Sequence, residues 1–591
     1  MKEKWLLKVR NKERIKELSE KLKISELLAK LLVNREIDGL EQARRFIYGD
    51  YNDFYDEYLM KDMDKGIYII KNAILEGKKI VIYGDYDCDG VSSTTILYKA
   101  LKRCGANFKY HIPNRESEGY GMNSDRIRSL KNEGTEVILT CDNGIAAFEQ
   151  VNVAKELGMQ VVITDHHDIP FIEDEEGNKE YKLPQADAVI NPKRKDCNYP
   201  FDKLCGAGIA FKFSKCLYSE LNIPLEESYE LLEFCAIATV CDVVDLIDEN
   251  RIIVRKGLQI LNDSNTPGIK ALKKQIGLEN KKISSYHLGF VIGPCINATG
   301  RLETADLSVE LLITEDESRA EELAKMLFEL NQRRQELTIE SLESIVEYIE
   351  RNNMQNDRVL LVYNKDVHES IAGIVAGKIK EKYNTPCIVM TSGHEMPKGS
   401  ARSIEEYNIF EELSKCKHLL GKFGGHPMAA GLSVKEENIP KLRRLLLENC
   451  TLTEEDLTQK IKIDAQMPLN NLSEGLIKEI EKLEPFGKGN PSPLFAEKSV
   501  KVTRLWLMGK EKSILKLRCK LKNSYMCIDA ISFDKFNDFR EQFICKYGEE
   551  RFLEVVDTSY CDFDLDLIFS PSINEFNGER KIQIIIKNLR I

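Results

Sequence analysis

The segment Gly84-Asp85-Tyr86-Asp87-Cys88-Asp89-Gly90 sets three carboxylates at alternate positions, directly after the apolar run Ile80-Val81-Ile82-Tyr83. Acids at this spacing, ending in glycine, also open a calcium-binding EF-hand loop, which needs a bidentate Glu at its twelfth position. That position is Ile96 here, and the stretch before the acids reads as a strand rather than a helix, so calcium storage is rejected. Two more acids stand in the same kind of place. Asp142 follows Val137–Cys141, and Asp165 with the pair His166-His167 follows Val161–Thr164. A further candidate is Asp242, in Ala238-Thr239-Val240-Cys241-Asp242-Val243-Val244, read as an apolar helix. An unpaired carboxylate there is costly, and a metal would neutralise it.

Each of these has an ordinary explanation when taken alone. An acid after a strand is often a helix N-cap, adjacent histidines often have no role, and Asp242 could pair with a buried cation. Together they deliver several carboxylates and an imidazole to the carboxyl ends of parallel strands, where open α/β sheets bind ligands. Mostly oxygen ligands with one imidazole suit Mn²⁺ or Mg²⁺ better than zinc. Two such ions bridged by a carboxylate clamp a phosphate and activate water for in-line attack. The residues therefore point to phosphoester or phosphoanhydride hydrolysis, without choosing the substrate. Lys398-Gly399-Ser400-Ala401-Arg402-Ser403 offers hydroxyls, a backbone turn and a guanidinium for gripping phosphate. Gly424-Gly425-His426-Pro427-Met428-Ala429-Ala430-Gly431 permits close backbone approach. Ordinary turn chemistry accounts for either equally well.

The elements that must position these residues follow from periodicity. The chain has 591 residues, too many for one core, and predicts three or four domains. Residues 1–75 repeat apolar positions at helical spacing (Leu27-Leu28, Leu31-Leu32, Ile37, Leu40) and read as a helical cap. Between 76 and 315, strand runs including Ala188-Val189-Ile190 alternate with helical stretches such as Thr94–Cys104 and Phe148–Leu157, which predicts a parallel sheet. Residues 316–355 hold one long connecting helix, because 316–352 lack Gly and Pro and carry leucines and isoleucines throughout. A smaller α/β unit follows over 356–455, with strands at Arg358–Val362 and Pro386–Met390. Short β runs dominate 456–591 and predict a small OB-like barrel.

Composition excludes several classes. The hydrophobic share is 42% and the charged share 31%, as in a globular chain, and no apolar run is long enough to span a bilayer. The start, Met1-Lys2-Glu3-Lys4-Trp5-Leu6-Leu7-Lys8, carries no secretory signal, so a cytoplasmic location is expected. The 16 cysteines contain no Cys-x-x-Cys pair, which argues against a zinc ribbon and for reduced, mostly buried thiols. A net charge of −11 does not advertise a nucleic-acid binder, though a groove can be basic on an acidic protein.

These motifs resemble the DHH phosphoesterase superfamily, named for Asp165-His166-His167. Within it the chain is similar to the RecJ type along nearly its whole length. The likeness rests on Ile112-Pro113-Asn114-Arg115 with Glu118-Gly119-Tyr120-Gly121, Ile190-Asn191-Pro192-Lys193, Leu204-Cys205-Gly206-Ala207-Gly208, Ile292-Gly293-Pro294 with Asn297-Ala298-Thr299-Gly300-Arg301, and Pro485-Phe486-Gly487-Lys488-Gly489-Asn490-Pro491. The resemblance implies a DHH catalytic domain at 76–315, a DHHA1 domain at 356–455 and an OB-like domain at 456–591. It implies 5′→3′ exonuclease action on single-stranded DNA in recombination and repair, with two Mn²⁺ or Mg²⁺ ions. A single-strand-binding protein and a helicase are implied partners, and no membrane. Asp87, Asp89, Asp142, His166 and Asp242 would be the metal ligands, Asp142 bridging, with Asp85 completing the first ion's shell or standing just behind it. His167 would contact the scissile phosphate and Asp165 would orient a histidine. Arg115, Ser400 and Arg402 would grip the terminal 5′-phosphate, and Arg301 and His426 would hold backbone phosphates. Two positions depart from the pattern. Cys295 stands where such sequences commonly have Arg after Gly-Pro, and Val367-His368-Glu369-Ser370-Ile371-Ala372-Gly373 lacks the usual Trp-His-x-Gly. In the barrel, Trp506, Tyr525 and Phe533 are candidates for base stacking, with at least two of them expected in the core. Two alternatives stay open: a DHH enzyme for oligonucleotides, cyclic dinucleotides or pyrophosphate, and a non-catalytic single-strand-binding scaffold.

Overall fold

The computed structural model describes residues 3–8, 11–115, 117–119, 121–173, 178–393, 395–509, 512–576 and 578–591. Tyr120 of the Glu118–Gly121 motif and Met1-Lys2 of the N-terminal segment lie outside them. The chain divides into two compact units, the first comprising Phe54–Asp245 and Glu249–Gln459.

A five-stranded parallel sheet organises the first unit. Its order is Asn107–His111, Lys79–Tyr83, Val137–Cys141, Gln160–Thr164, Ala188–Ile190. The inner strands are buried along almost every residue, as β-branched runs must be when both faces are covered. Periodicity passes over Asn107–His111 because it is an edge strand whose residues alternate and are only partly covered. The chain leaves Lys79–Tyr83 toward that edge and returns on the other side to Val137–Cys141. This reversal makes the carboxyl ends of those two strands the topological switch point, where such sheets bind ligands.

The helix Cys88–Arg103 starts at that point, capped by the Asp87 carboxylate, which accepts from the backbone N–H groups of Asp89 (2.9 Å) and Gly90 (3.0 Å). The connecting helix is continuous over Glu317–Arg351, 35 residues or about 52 Å. Asp316 caps it by accepting from Ser318 and Arg319. Ile345 and Ile349 near its far end belong to the core of a second sheet, in the order Leu420–His426, Ala429–Val434, Lys398–Arg402, Cys387–Thr391, Leu360–Tyr363. Lys398–Arg402 was expected to supply a turn. It is instead a strand with antiparallel neighbours on both sides. Gly399 lets it lie flat, since a Cβ there would meet Met390 Sδ at 2.3 Å.

The second unit comprises Glu3–Asp53, Leu246–Asp248 and Lys460–Ile591. Its sheet runs Ala465–Gln466, Phe495–Met508, Ile514–Lys520, Cys527–Ser532, Glu579–Arg590, Tyr560–Phe576, and Phe495–Met508 also pairs with Tyr560–Phe576. That last pairing closes the five long strands into a barrel and leaves only the two-residue strand Ala465–Gln466 as an edge. Residues 1–75 divide between the units. Leu28, Leu31 and Leu32 pack in one core with Phe495 and Phe569, whereas Met63–Leu75 packs on the parallel sheet of the first unit. The expectation that two of three barrel aromatics would be core residues is overturned. Tyr525 is fully exposed, Phe533 is 62% exposed and Trp506 is half-buried. Each sits where strand alternation turns its ring outward or at a strand end. All sixteen cysteines are free thiols, nine of them buried. Among the described residues no helix is long and apolar enough to cross a membrane.

Candidate metal centre

Four side chains meet at the switch point. His166 Nε2 lies 3.1 Å from Asp142 Oδ1, 3.6 Å from Asp89 Oδ2 and 3.8 Å from Asp242 Oδ2. Asp85, Asp87 and Asp142 form an adjoining group, with ligand atoms within 4.8 Å of one another. Asp142 belongs to both sets, which is the position of a bridging ligand.

Local structure aims each group. Asp142 takes a left-handed backbone (φ 60°) that turns its side chain off the strand end; Asp is one of the few residues to tolerate that region. Asn143 anchors the turn by donating to the carbonyls of Tyr83, Gly84 and Cys141 at 2.9–3.0 Å. Gly206 leaves room for the carboxylate, since a Cβ there would lie 2.7 Å from Asp142 Cβ. Asp89 is held by the N–H groups of Gly206 (2.6 Å) and Ala207 (2.8 Å) at the start of the helix Gly206–Glu220. Asp242 was expected inside a helix. That helix ends at Cys241 and Asp242 caps it, because Val243 adopts φ 57° and breaks the spiral. A β-branched residue in that region is strained, and here the strain turns a carboxylate out of an apolar helix.

The electrostatics call for a cation. Burial, and then the charge of a neighbouring carboxylate, push Asp85, Asp87, Asp142 and Asp242 above the usual range. Asp85 Oδ1 and Asp142 Oδ1 are buried and accept no hydrogen bond. Orphaned buried oxygens beside an imidazole kept neutral by burial are a donor set that fits a hard divalent ion.

Asp165 stands apart from these groups. It accepts from the N–H groups of Ile145, His166 and His167 and from His167 Nδ1 at 2.7 Å. Burial opposes its charge, but the His167 hydrogen bond and charge outweigh it and bring the carboxyl down to about 2. Burial likewise opposes protonation of His167, and Asp165 overrides it, raising the imidazole to about 9.

Beside this group of carboxylates and imidazoles lies a cleft of about 420 Å³ whose walls include Asp85, Asp87, Arg115, Arg301, Ser400 and Arg402. Arg115 stacks over Tyr86, 5.3 Å from the ring centroid. Arg301 donates to Ser370 O at 2.6 Å, and burial lowers its pKa to about 10. His426 is not in the cleft wall. It lies 3.5 Å from Asp168, which also pairs with Lys193 at 2.9 Å. Cys295 is buried and faces the connecting helix, taking a contact from Asn331 at 3.5 Å. Sequence reasoning gave no role to Asn143 or to Asn297, which accepts from Cys88 N at 2.9 Å. Asn297 falls inside a quoted motif and Asn143 directly follows Asp142, and an amide able to bridge neighbouring strand ends was the available signal.

Comparison with known proteins follows the same division. Residues 79–239 match the DHH family, N-terminal domain, 356–451 the DHHA1 domain and 463–588 the RecJ OB domain. The single-stranded-DNA-specific exonuclease RecJ of Bacillus subtilis is 37% identical over 99% of this chain and 71% of its own length. That of Escherichia coli is 31% identical over 95% of each. The crystal structure of RecJ with Mn²⁺ from Thermus thermophilus shares the fold, with a TM-score of 0.79 and 23% identity over 100% of this chain and 80% of that one. The same protein with Mg²⁺ gives a TM-score of 0.74 at 23% identity over 100% and 79%.

Proposed function

The chain belongs to the RecJ family of single-stranded-DNA-specific exonucleases, and on that premise we propose that it removes nucleotides from the 5′ end of single-stranded DNA by hydrolysing phosphodiester bonds with two divalent ions. The observation that carries the reading is the convergence of Asp89, Asp142 and Asp242 on one imidazole, with Asp85 and Asp87 beside them.

Asp87, Asp89, Asp142, His166 and Asp242 would hold the ions, Asp142 being common to both groups of ligand atoms, and Asp85 stands beside Asp87 and Asp142. Bound there, Mn²⁺ or Mg²⁺ supplies Lewis-acid polarisation of the phosphate and activation of water. The protein's own groups do the rest. His167, kept protonated by Asp165, donates to the scissile phosphate and offsets its growing charge. Arg115, Ser400 and Arg402 grip the terminal 5′-phosphate, Arg402 as a planar fork. Arg301 and His426 hold backbone phosphates. The barrel presents Trp506 beneath Lys516 and Arg518, an arrangement that suits base stacking with phosphate neutralisation. DNA recombination and repair are the setting this activity serves. A single-strand-binding protein and a helicase are its proposed partners, and the cytoplasm its proposed location.

Purified protein with Mn²⁺ and a strand labelled separately at each end, with and without 5′-phosphate, tests the reading. Release of label from the 5′ end first, faster with the phosphate, is expected. Release from the 3′ end first would reverse the assignment of the cleft. Equal turnover of a dinucleotide and a long strand would favour the small-substrate alternative.

A further inference from the structure

Three guanidiniums line the cleft and a fourth stands near Arg301, and among the described residues none of the four is in an ion pair with a carboxylate. Three of them, Arg115, Arg301 and Arg402, line the cleft wall. Their contacts are a ring face and main-chain carbonyls. The fourth is Arg334, half-buried on the connecting helix, where neither motif nor resemblance draws attention to it.

Arg334 is held in a definite direction. Its Nε and Nη2 both donate to Asn331 Oδ1, at 3.2 and 2.8 Å, one turn earlier on the same helix. Asn331 is itself 6% exposed and fixed through Nδ2 to Cys295 Sγ at 3.5 Å. Cys295 lies on the helix Gly293–Leu302 that carries Asn297 and Arg301. A chain of three side chains therefore locks the Arg334 guanidinium against the helix that bears Arg301, with one edge used by Asn331 and the other edge left for another acceptor. Charge sharpens the point. The two like charges nearest in effect to Arg301 are Arg115 and Arg334, and they oppose its protonation after burial does. The one glutamate of the cleft wall, Glu369, is taken by Lys398 at 2.7 Å. Asp87 in the same wall favours the charge of Arg301 but ranks behind Arg115 and Arg334; cations crowded together cost free energy in the unliganded protein, and a polyanion repays it.

We propose that Arg334 and Arg301 form a subsite for an internal phosphodiester of the bound strand, distinct from the grip on the terminal phosphate by Arg115, Ser400 and Arg402. The proposal rests on the single-strand exonuclease reading above and adds a phosphate ligand to it. The cation here is furnished by the connecting helix, and Asn331 is its positioning residue.

A phosphate contact leaves a signature that a packing role does not. Each one lost lowers the slope of log affinity against log salt by about 0.7 for a single strand. The experiment uses the full-length, Mn²⁺-loaded protein and a phosphorothioate strand that resists cleavage. Binding is read by anisotropy across a salt series for wild type, Arg334→Gln, Arg334→Lys and Asn331→Ala. Arg334→Gln should weaken binding about tenfold near physiological salt and flatten the slope by about 0.7. Arg334→Lys should keep the slope and lose part of the affinity, because it keeps the charge and loses the fork. Asn331→Ala should behave like the lysine variant. An unchanged slope in Arg334→Gln, with or without a lower melting temperature, overturns the subsite. Failure of the exonuclease reading shows elsewhere, as no digestion of an ordinary strand by wild type, and leaves the binding slopes still interpretable.

Discussion

The metal centre and the barrel surface both hold charge next to hydrophobic structure, but they treat it in opposite ways. At the switch point Asp85, Asp89 and Asp142 are buried with carboxylates as neighbours. On the barrel, Lys516 and Arg518 lie over Trp506 and share Asp529, all at least partly in solvent. The first arrangement is strained until a specific ligand arrives, since like charges out of water repel strongly. The second is already satisfied and is weakly selective, because exposed ion pairs are worth little and every base has a π-face. Under the proposed function, chemistry belongs to the buried region and tolerant binding to the exposed one.

The largest effect should come from breaking the shared ligand. Asp142→Ala should lower kcat by about 10³-fold or more, several kcal/mol of transition-state stabilisation, with the circular dichroism spectrum unchanged. Retained activity in that variant would remove the two-ion mechanism. Next is the cleft. Arg402→Ala should raise KM for 5′-phosphorylated ends by about 10–100-fold, as loss of a charge-assisted hydrogen bond predicts. It should change KM for 5′-hydroxyl ends far less.

Asp165→Asn should cost about 10–100-fold in activity, the usual scale for a group that orients another. Its pH signature lies in the metal-free protein. Asp165, at about 2, contributes stability that is present above its ordinary value and lost as pH falls toward 2. His167, at about 9, contributes stability that is full below its ordinary value and lost as pH rises through 9. The melting temperatures of wild type and Asp165→Asn should therefore differ most between about pH 4 and 6.5 and converge toward both ends. Asp85, Asp142 and Asp242 act the other way. Their raised values penalise the folded state increasingly as pH climbs above the ordinary carboxyl range, so the gain in melting temperature on adding Mn²⁺ should shrink as pH falls.

The barrel should give the smallest change. Trp506→Ala should weaken binding of long strands by about tenfold, the worth of one stacked base, and leave dinucleotide turnover unaltered. A loss of dinucleotide turnover would erase the contrast between the two regions.

Much of this was legible in advance for particular reasons. The three alternating acids, the acids after strands and the pair His166-His167 are local patterns, and a strand end predicts where a side chain begins. The connecting helix was legible because nothing in 316–352 interrupts it. Asn107–His111 was not, because an edge strand lacks the continuous apolar run of its neighbours. The end of the helix at Cys241 was hidden because Val243 in a left-handed conformation carries no sequence signal. Lys398–Arg402 looked like a turn because Gly and Ser favour turns, until two antiparallel neighbours overrode that propensity.

By itself the sequence determined which groups were available and on which kind of element each one rides, since local spacing and periodicity are properties of neighbours in the chain. Only the tertiary structure decided that Asp142 stands within reach of two groups of carboxylate and imidazole atoms, that Arg334 from one helix is locked against another, and that Tyr525 and Phe533 face water. Those outcomes depend on contacts between residues tens to hundreds of positions apart, and no local preference encodes the closure of such a contact.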